Sequence, residues 1–248
     1  MFRDPPDGLC LLVLASSDLH HEVAHFAGTY PGNVVATTCD LVRATGGPPH
    51  VTVVWHSASS PPRPTPGGVR EWTKGSVIHA MAVDSMEALN RTAFHEAART
   101  LHAPLIACEG SPGSALRLLL RAILEPLCEY GLIGISSDDF FGLFRKPAVG
   151  TLTHWSTQIT ADTSDPSGGV IEPPERAVAI LSRTDLRGVW APMRLGLNRG
   201  LIDIEHVARG IDNSITTEDY EVRVAANLVD SFPDSIEVAL MTVHEPIG

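Results

Sequence analysis

The sequence predicts an α/β fold. A parallel, Rossmann-like half domain of the nucleotide-binding kind is expected over residues 1–130, ending in a central helix over 112–130, and residues 131–248 should form a smaller α+β domain with a mixed sheet. Three observations carry this expectation. Up to about Cys108, short runs rich in Val and Leu alternate with helical patterns, and the first two runs lack the polar alternation of a half-exposed strand. From Ser111 to Leu127 apolar residues recur at helical spacing over the longest such stretch in the chain. Beyond Gly131 the pattern changes, and the last two strand-like segments alternate apolar with polar residues.

Composition narrows the function classes. A net charge of −11 excludes the basic surface that nucleic-acid binding normally requires. Hydrophobic content of 44% with 19% charged residues is that of a globular chain able to bury a real core. Cys10, Cys39, Cys108 and Cys128 show no C-x-x-C spacing and sit in apolar runs, so they are expected as buried thiols in a reducing compartment. The run Leu9–Ala15 is too short to cross a bilayer, and the acidic, Pro-rich residues before it do not suit a signal peptide. A cytoplasmic protein without a transmembrane segment is the expectation.

Taken in order, strands are expected at Leu9–Ala15, Val51–Trp55, Val77–Val83 and Leu105–Cys108. A helix Asn33–Val42 should connect the first two, and another should run from Met86 to Leu101, where Asp84 and Glu87 have capping-box spacing. The stretch His56–Gly75 is dense in Pro, Gly and Ser and should be a loop. In the central helix Ser111 suits the N-cap and Pro112 the first turn, Leu118 widens the apolar face so that more than one side should be covered, and Pro126 should kink the last turn. A strand Pro147–Thr160, a loop Ala161–Pro174 and a helix Glu172–Leu181 follow. Gly188–Leu195 contains Pro192, which suggests a bulge or a sheet edge. Asp203 should cap a short helix whose Ile204, Val207, Ala208 and Ile211 share a face. Two strands, Tyr220–Leu228 and Ile236–Leu240, should close the chain as an antiparallel pair joined through Pro233 and Asp234.

That order of elements, and the text of Gly131-Leu132-Ile133-Gly134-Ile135-Ser136-Ser137-Asp138-Asp139, resembles the FtsZ/tubulin family of filament-forming GTPases. The segment is similar to the family's synergy loop, GLINxDxxD, which enters the neighbouring subunit's nucleotide site and supplies carboxylates that polarise water. The resemblance implies that Asp139, with Asp138 as a substitute for the lost first aspartate, holds what is left of that catalytic function. It also implies a phosphate loop at Ala27–Gly32, where Gly28, Thr29 and Gly32 are kept but Tyr30 and Pro31 add bulk and remove a donor. The base-reading position falls on Gly113 or Ser114. Together these departures imply a divergent relative that starts at a late strand of the family fold, lacks the first half of the nucleotide site and no longer turns over GTP. Its expected role is self-association, as a homo-oligomer, or binding to an FtsZ-like filament in a cytoskeletal or cell-division process. The contact surface implied by the loop comprises Leu132, Ile133, Ile135, Phe140 and Phe141. The family's acidic tail has no counterpart before Gly248.

Two alternatives stand beside that reading. His21-Glu22-Val23-Ala24-His25 matches H-E-x-x-H, in which histidines one helical turn apart bind zinc and the glutamate activates water. A zinc hydrolase built on His21 and His25 would follow, although Pro31 stands where one branch of such enzymes places a third histidine. An active GTPase with an unusual phosphate loop is the other. The main reading expects no cofactor.

Overall fold

The computed structural model describes residues 11–15, 17–29, 34–37, 50–56, 76–83, 92–129, 131–158, 170–232 and 234–246. They form β1 (Leu11–Leu14), α1 (His20–Thr29), β2 (Val34–Thr37), β3 (Val51–His56), β4 (Ser76–Val83), α2 (Thr92–Leu101), β5 (Pro104–Glu109) and α3 (Pro112–Cys128). After α3 come α4 (Ser137–Phe144), β6 (Ala148–Gln158), α5 (Glu175–Leu181), β7 (Leu186–Gly196), α6 (Leu201–Asn213), β8 (Glu221–Val229) and β9 (Ser235–His244).

The strands make one nine-stranded sheet in the order β2-β1-β3-β4-β5-β6-β9-β7-β8. From β2 to β6 every pairing is parallel. Strand β9 then runs antiparallel to both β6 and β7. Because β1 pairs with β2 on one side and β3 on the other, the strand order reverses there; in open α/β sheets the ligand crevice lies beyond the carboxyl ends of the strands at such a point. The short all-apolar strands fit this place: Leu11, Leu12, Val51, Val53 and Ile78 are inaccessible to solvent, as strands covered on both faces require.

Helix α3 packs on the face of this sheet that both halves share. Its Leu116, Leu119, Leu120 and Ile123 join Val13, Ile78 and Ile106 from the parallel strands and Trp190, Met241 and Val243 from β7 and β9 in one core, and α1 and α4 contribute to the same cluster. Leu118 packs against it too, so the helix is covered on more than one side. The opposite face carries α5 and α6 over β7–β9 and α2 over β5.

Several expectations change. Residues Val34–Thr37 are a strand, not part of a helix Asn33–Val42; three of the four are β-branched, and the crossing from β1 to β2 is made by α1 instead. The last two strands are not a hairpin. β9 inserts between β6 and β7, while β8 lies beyond β7 and runs parallel to it. The unbroken buried run Val238–His244 favours a place between two neighbours over a half-exposed ladder. β7 is therefore no edge, and the irregularity in its pairing with β9 falls at Leu186/Gly188 and not at Pro192, which lies within the unshifted register between Trp190↔Met241 and Met193↔Val238. Asp203 stands three residues inside α6, and Gly200 holds the cap position, donating its N–H to Asp203 Oδ2 at 2.9 Å. Residues 57–75, 84–91 and 161–169, on which loops and a helix start were expected, lie outside the described residues, as do Cys10 and Cys39. Cys108 is buried, which pushes its thiol pKa far up, and half-buried Cys128 rises to about 12.

Candidate functional site

Pro126 removes the N–H owed to the carbonyl of Ala122, which should kink the last turn of α3. The helix instead continues to Cys128 because the Trp190 indole, from β7, donates to the Ala122 carbonyl at 2.8 Å. A tertiary donor replaces the missing helical one, and the helix is thereby tied to the second half of the sheet. Further along the same face, Glu125 Oε2 lies 3.3 Å from Arg194 Nε, Arg121 stands 3.6 Å from Glu237, and Asn227 donates to the Glu125 carbonyl at 3.1 Å. Burial raises the Glu125 pKa to about 7 despite the nearby Arg194 and Arg121 charges.

At its carboxyl end the chain passes Gly131, where a Cβ would collide with the Ala226 carbonyl oxygen, so only glycine fits. Two residues on, Ile133 and Ala226 exchange both backbone hydrogen bonds, at 3.3 and 3.2 Å, as an antiparallel bridge onto β8. The loop then closes into α4 through a capping box: Ser136 Oγ accepts from the Asp139 N–H, and Asp139 Oδ2 accepts from the Ser136 N–H, both at 3.2 Å. The Ser136 hydroxyl also donates to the same carboxylate, which holds Asp139 below the ordinary carboxylate range. Asp139 Oδ1 is 3.7 Å from Arg223 Nε. Asp138 is out in solvent, 3.8 Å from Arg145.

The structure thus divides the expected contact surface. Leu132 is 41% exposed, and Ile133 and Ile135 are half-buried against the two cores. Phe140 and Phe141 are 0% and 5% exposed, which overturns their assignment to that surface. They belong to α4, where a loop was expected, and Phe140 packs edge-on to Trp190 with ring centroids 5.0 Å apart. The signal was available in the sequence: Ser136 followed by Asp139 and an apolar run is a helix start. Leu228 (44%), Leu197 (57%), Leu201 (61%) and Ile202 (48%) are also exposed; the alternation over Tyr220–Leu228 predicts Leu228 on the buried face, and the sequence does not single out the other three. Leu228 is two positions from the Ala226 bridge, and Leu197 follows Gly196, which pairs with Val229 beside Leu228. By the antiparallel bridge Leu132 stands level with Asn227, one position out of step with Leu228, while Leu197, Leu201 and Ile202 lie on the turn and helix that follow β7.

The other end of α3 faces the crevice. Between β1 and α1 the sequence reads Ala15-Ser16-Ser17-Asp18 and contains no glycine. Glu22, 8% exposed, turns from α1 toward α3, where Oε2 is 3.0 Å from Arg117 Nε. Its other oxygen is 3.1 Å from His21 Nε2 and would touch any side chain at Gly113, 2.9 Å away. A carboxylate thus occupies the positive end of a helix dipole. His21 and His25 are exposed on α1, Glu22 is shared between His21 and Arg117, and among the described residues no group of three or more metal-ligating side chains forms. Gly28 and Thr29 close the carboxyl end of α1, with Thr29 Oγ1 donating to the His25 carbonyl at 3.0 Å. That end of a helix presents carbonyls, the wrong polarity for phosphate. Gly32 lies outside the described residues.

No family model matches the chain, and no curated protein matches its sequence. Solved structures do match. FtsZ of M. jannaschii (a W319Y mutant) aligns over 95% of this chain and 91% of that one, with a TM-score of 0.62 at 10% identity. TubZ of Bacillus thuringiensis serovar israelensis, as a GTPγS-form protofilament, aligns over 96% and 86% with a TM-score of 0.54 at 8% identity. CetZ2 of Haloferax volcanii, as a GTPγS-bound protofilament, aligns over 96% and 94% with a TM-score of 0.54 at 9% identity. The chain has an FtsZ/tubulin-like fold. The likeness spans most of those chains and is not confined to their later part, which corrects the expectation that β1 corresponds to a late strand; β1 sits instead where the strand order reverses.

Proposed function

We propose that this chain, which has an FtsZ/tubulin-like fold, is a cytoskeletal assembly protein that associates with copies of itself without turning over GTP. The observation that carries the proposal is the exposure of Leu132 and Leu228, on the loop and strand joined by the Ile133–Ala226 bridge, and of Leu197, Leu201 and Ile202 just after β7. Large aliphatic residues so placed are costly in water and favour a covered state. TubZ and CetZ2 have been solved as protofilaments, which supports a second copy of this chain as the occupant and an FtsZ-like filament as the alternative partner.

The same geometry argues against turnover. The Asp139 carboxylate is committed to its capping box and Arg223, so its hydrogen-bonding capacity is already directed inward. Asp138, its replacement, is one residue away on a helix and points elsewhere. Glu22 already takes the start of α3 and the Arg117 guanidinium, the groups there that would otherwise receive a phosphate. A cytoplasmic setting and a part in cell division belong to this reading as proposals.

Light scattering and phosphate release on one sample test it. Assembly should rise with protein concentration, should not need GTP and should release no phosphate above buffer. Leu132→Ser combined with Leu201→Ser should abolish assembly while leaving the far-ultraviolet circular dichroism intact. Phosphate release that Asp139→Ala removes would refute the reading.

A further inference from the structure

Strand β8 ends the described sheet, with β7 on one side and no further strand on the other. Along a paired strand the backbone groups of successive residues turn to opposite sides, so every second residue of β8 turns its N–H and C=O away from β7. Ala226 shows which ones, because it exchanges both its backbone bonds with Ile133 on the outer side. By alternation Val222, Val224 and Leu228 turn outward too. Among the described residues no backbone group meets those of Val222 or Val224 from outside the sheet. The Val222 carbonyl has Arg223 Nη1 at 3.5 Å, beyond the length of a good hydrogen bond. A nine-residue edge bridged at Ala226 is thus left with a row of open donors and acceptors, a template for another strand.

The same alternation restricts what can pair there. Two copies of β8 that meet antiparallel about a twofold axis must set outward-turned residues against outward-turned ones, so the axis passes through one of them. An axis at Val224 or further along would use Ala226, which Ile133 already holds. An axis at Tyr220 would oppose Glu221 to the partner's Asp219, like charge to like. An axis at Val222 opposes Glu221 to the partner's Arg223 and Arg223 to the partner's Glu221, and sets Tyr220 against the partner's Val224. Glu221 and Arg223 share a face of the strand, and their contacts within the chain are long: 3.5 Å to each other and 3.7 Å from Arg223 to Asp139. The chain also bends at Glu218 and Asp219, so a partner's strand leaves the edge where Ile133 takes it over.

We infer that β8 pairs with β8 of a second copy, antiparallel about a twofold axis at Val222, as an isologous contact of the assembly. The inference rests on the assembly reading, since pairing confined to residues 220–224 is too short to hold two copies unaided. Exposed aliphatic residues supply the rest, and Leu132, on the loop bridged to Ala226, flanks the paired stretch.

Sedimentation velocity on charge variants of the full chain tests it. Glu221→Arg and Arg223→Glu each oppose like charges across the axis, and each alone should weaken association by about tenfold. An equimolar mixture of the two variants should restore it, because the arginines of one copy then face the glutamates of the other. A contact within one chain gives no such rescue on mixing. Should either variant not fold, Glu221→Cys mixed with Arg223→Cys under oxidised glutathione decides: the mixture should form a disulfide between copies faster than either variant alone. An assembling chain whose charge variants behave like the unaltered protein, show no rescue on mixing or show no preferred cross-link would overturn this inference and leave the assembly reading standing. An unaltered chain that stays monomeric would overturn both.

Discussion

The two ends of α3 differ in what they leave unsatisfied. At the amino end charge is matched within the chain, with Glu22 set against Arg117 and the start of the helix. At the carboxyl end the backbone is matched, through Ile133 and Ala226, but aliphatic side chains are left in water. In a fold of this kind the first end adjoins the crevice at the strand-order reversal and the second adjoins the sheet edge at β8. The contrast teaches that the two ends of one helix can be finished in different ways, one by a carboxylate of the same chain and the other by backbone pairing that leaves aliphatic side chains exposed.

The sharpest way to separate packing from surface is to truncate one aromatic and one exposed aliphatic residue within the same loop-helix unit. Phe140→Ala, at a fully buried position against Trp190 and Phe144, should cost about 3–5 kcal/mol in a denaturant titration. Leu132→Ser should cost no more than ~0.5 kcal/mol in the same titration and act only on assembly. Comparable losses in the two would erase the distinction between core and surface.

Next in size is the tie between α3 and β7. Trp190→Phe should cost about 1–3 kcal/mol because it orphans the Ala122 carbonyl that Pro126 already deprives of a helical donor. With Pro126→Ala present, the same change should cost less, since the alanine N–H can then supply that donor. A double-mutant cycle with no coupling would show that the indole bond does not replace the missing helical one.

A pH effect of similar or smaller size follows from Glu125. Its pKa is raised to about 7 by burial, so the folded state holds the proton more tightly than the unfolded one. Stability from this group is present in full below the ordinary glutamate pKa and is lost as pH rises toward 7, by on the order of 1–3 kcal/mol. Arg121, Glu129, Arg194 and Glu237 are the charges that act on it, and removing Arg194 should raise the pKa further. Glu125→Gln should flatten the decline measured by thermal unfolding between acid and neutral pH; an unchanged slope would assign it to other groups.

Much of this is legible in the sequence, and the misses share a cause. The runs at Leu11, Val51, Val77 and Leu105, and the spacing of Leu116 to Leu127, report their own secondary structure because burial on two faces leaves a local pattern. The partner of a strand leaves none. Tyr220–Leu228 and Ile236–Leu240 both alternate, yet only the unbroken Leu240-Met241-Thr242-Val243 run hints that β9 lies between two strands. Phe140 and Phe141 look excessive for a loop so long as the capping pair Ser136 and Asp139 is read as a worn catalytic motif. Glu22 is masked in the same way by the histidines around it, while its real partner, Arg117, is on another helix with no sequence signal linking them.

Sedimentation velocity over a range of protein concentrations, with and without GTP, tests the central claim most directly. The account predicts that the sedimentation coefficient rises with concentration equally in both conditions, and that Leu132→Ser with Leu201→Ser sediments as a monomer throughout. A single monomer boundary for the unaltered chain at every concentration, or assembly only when GTP is present, would contradict it.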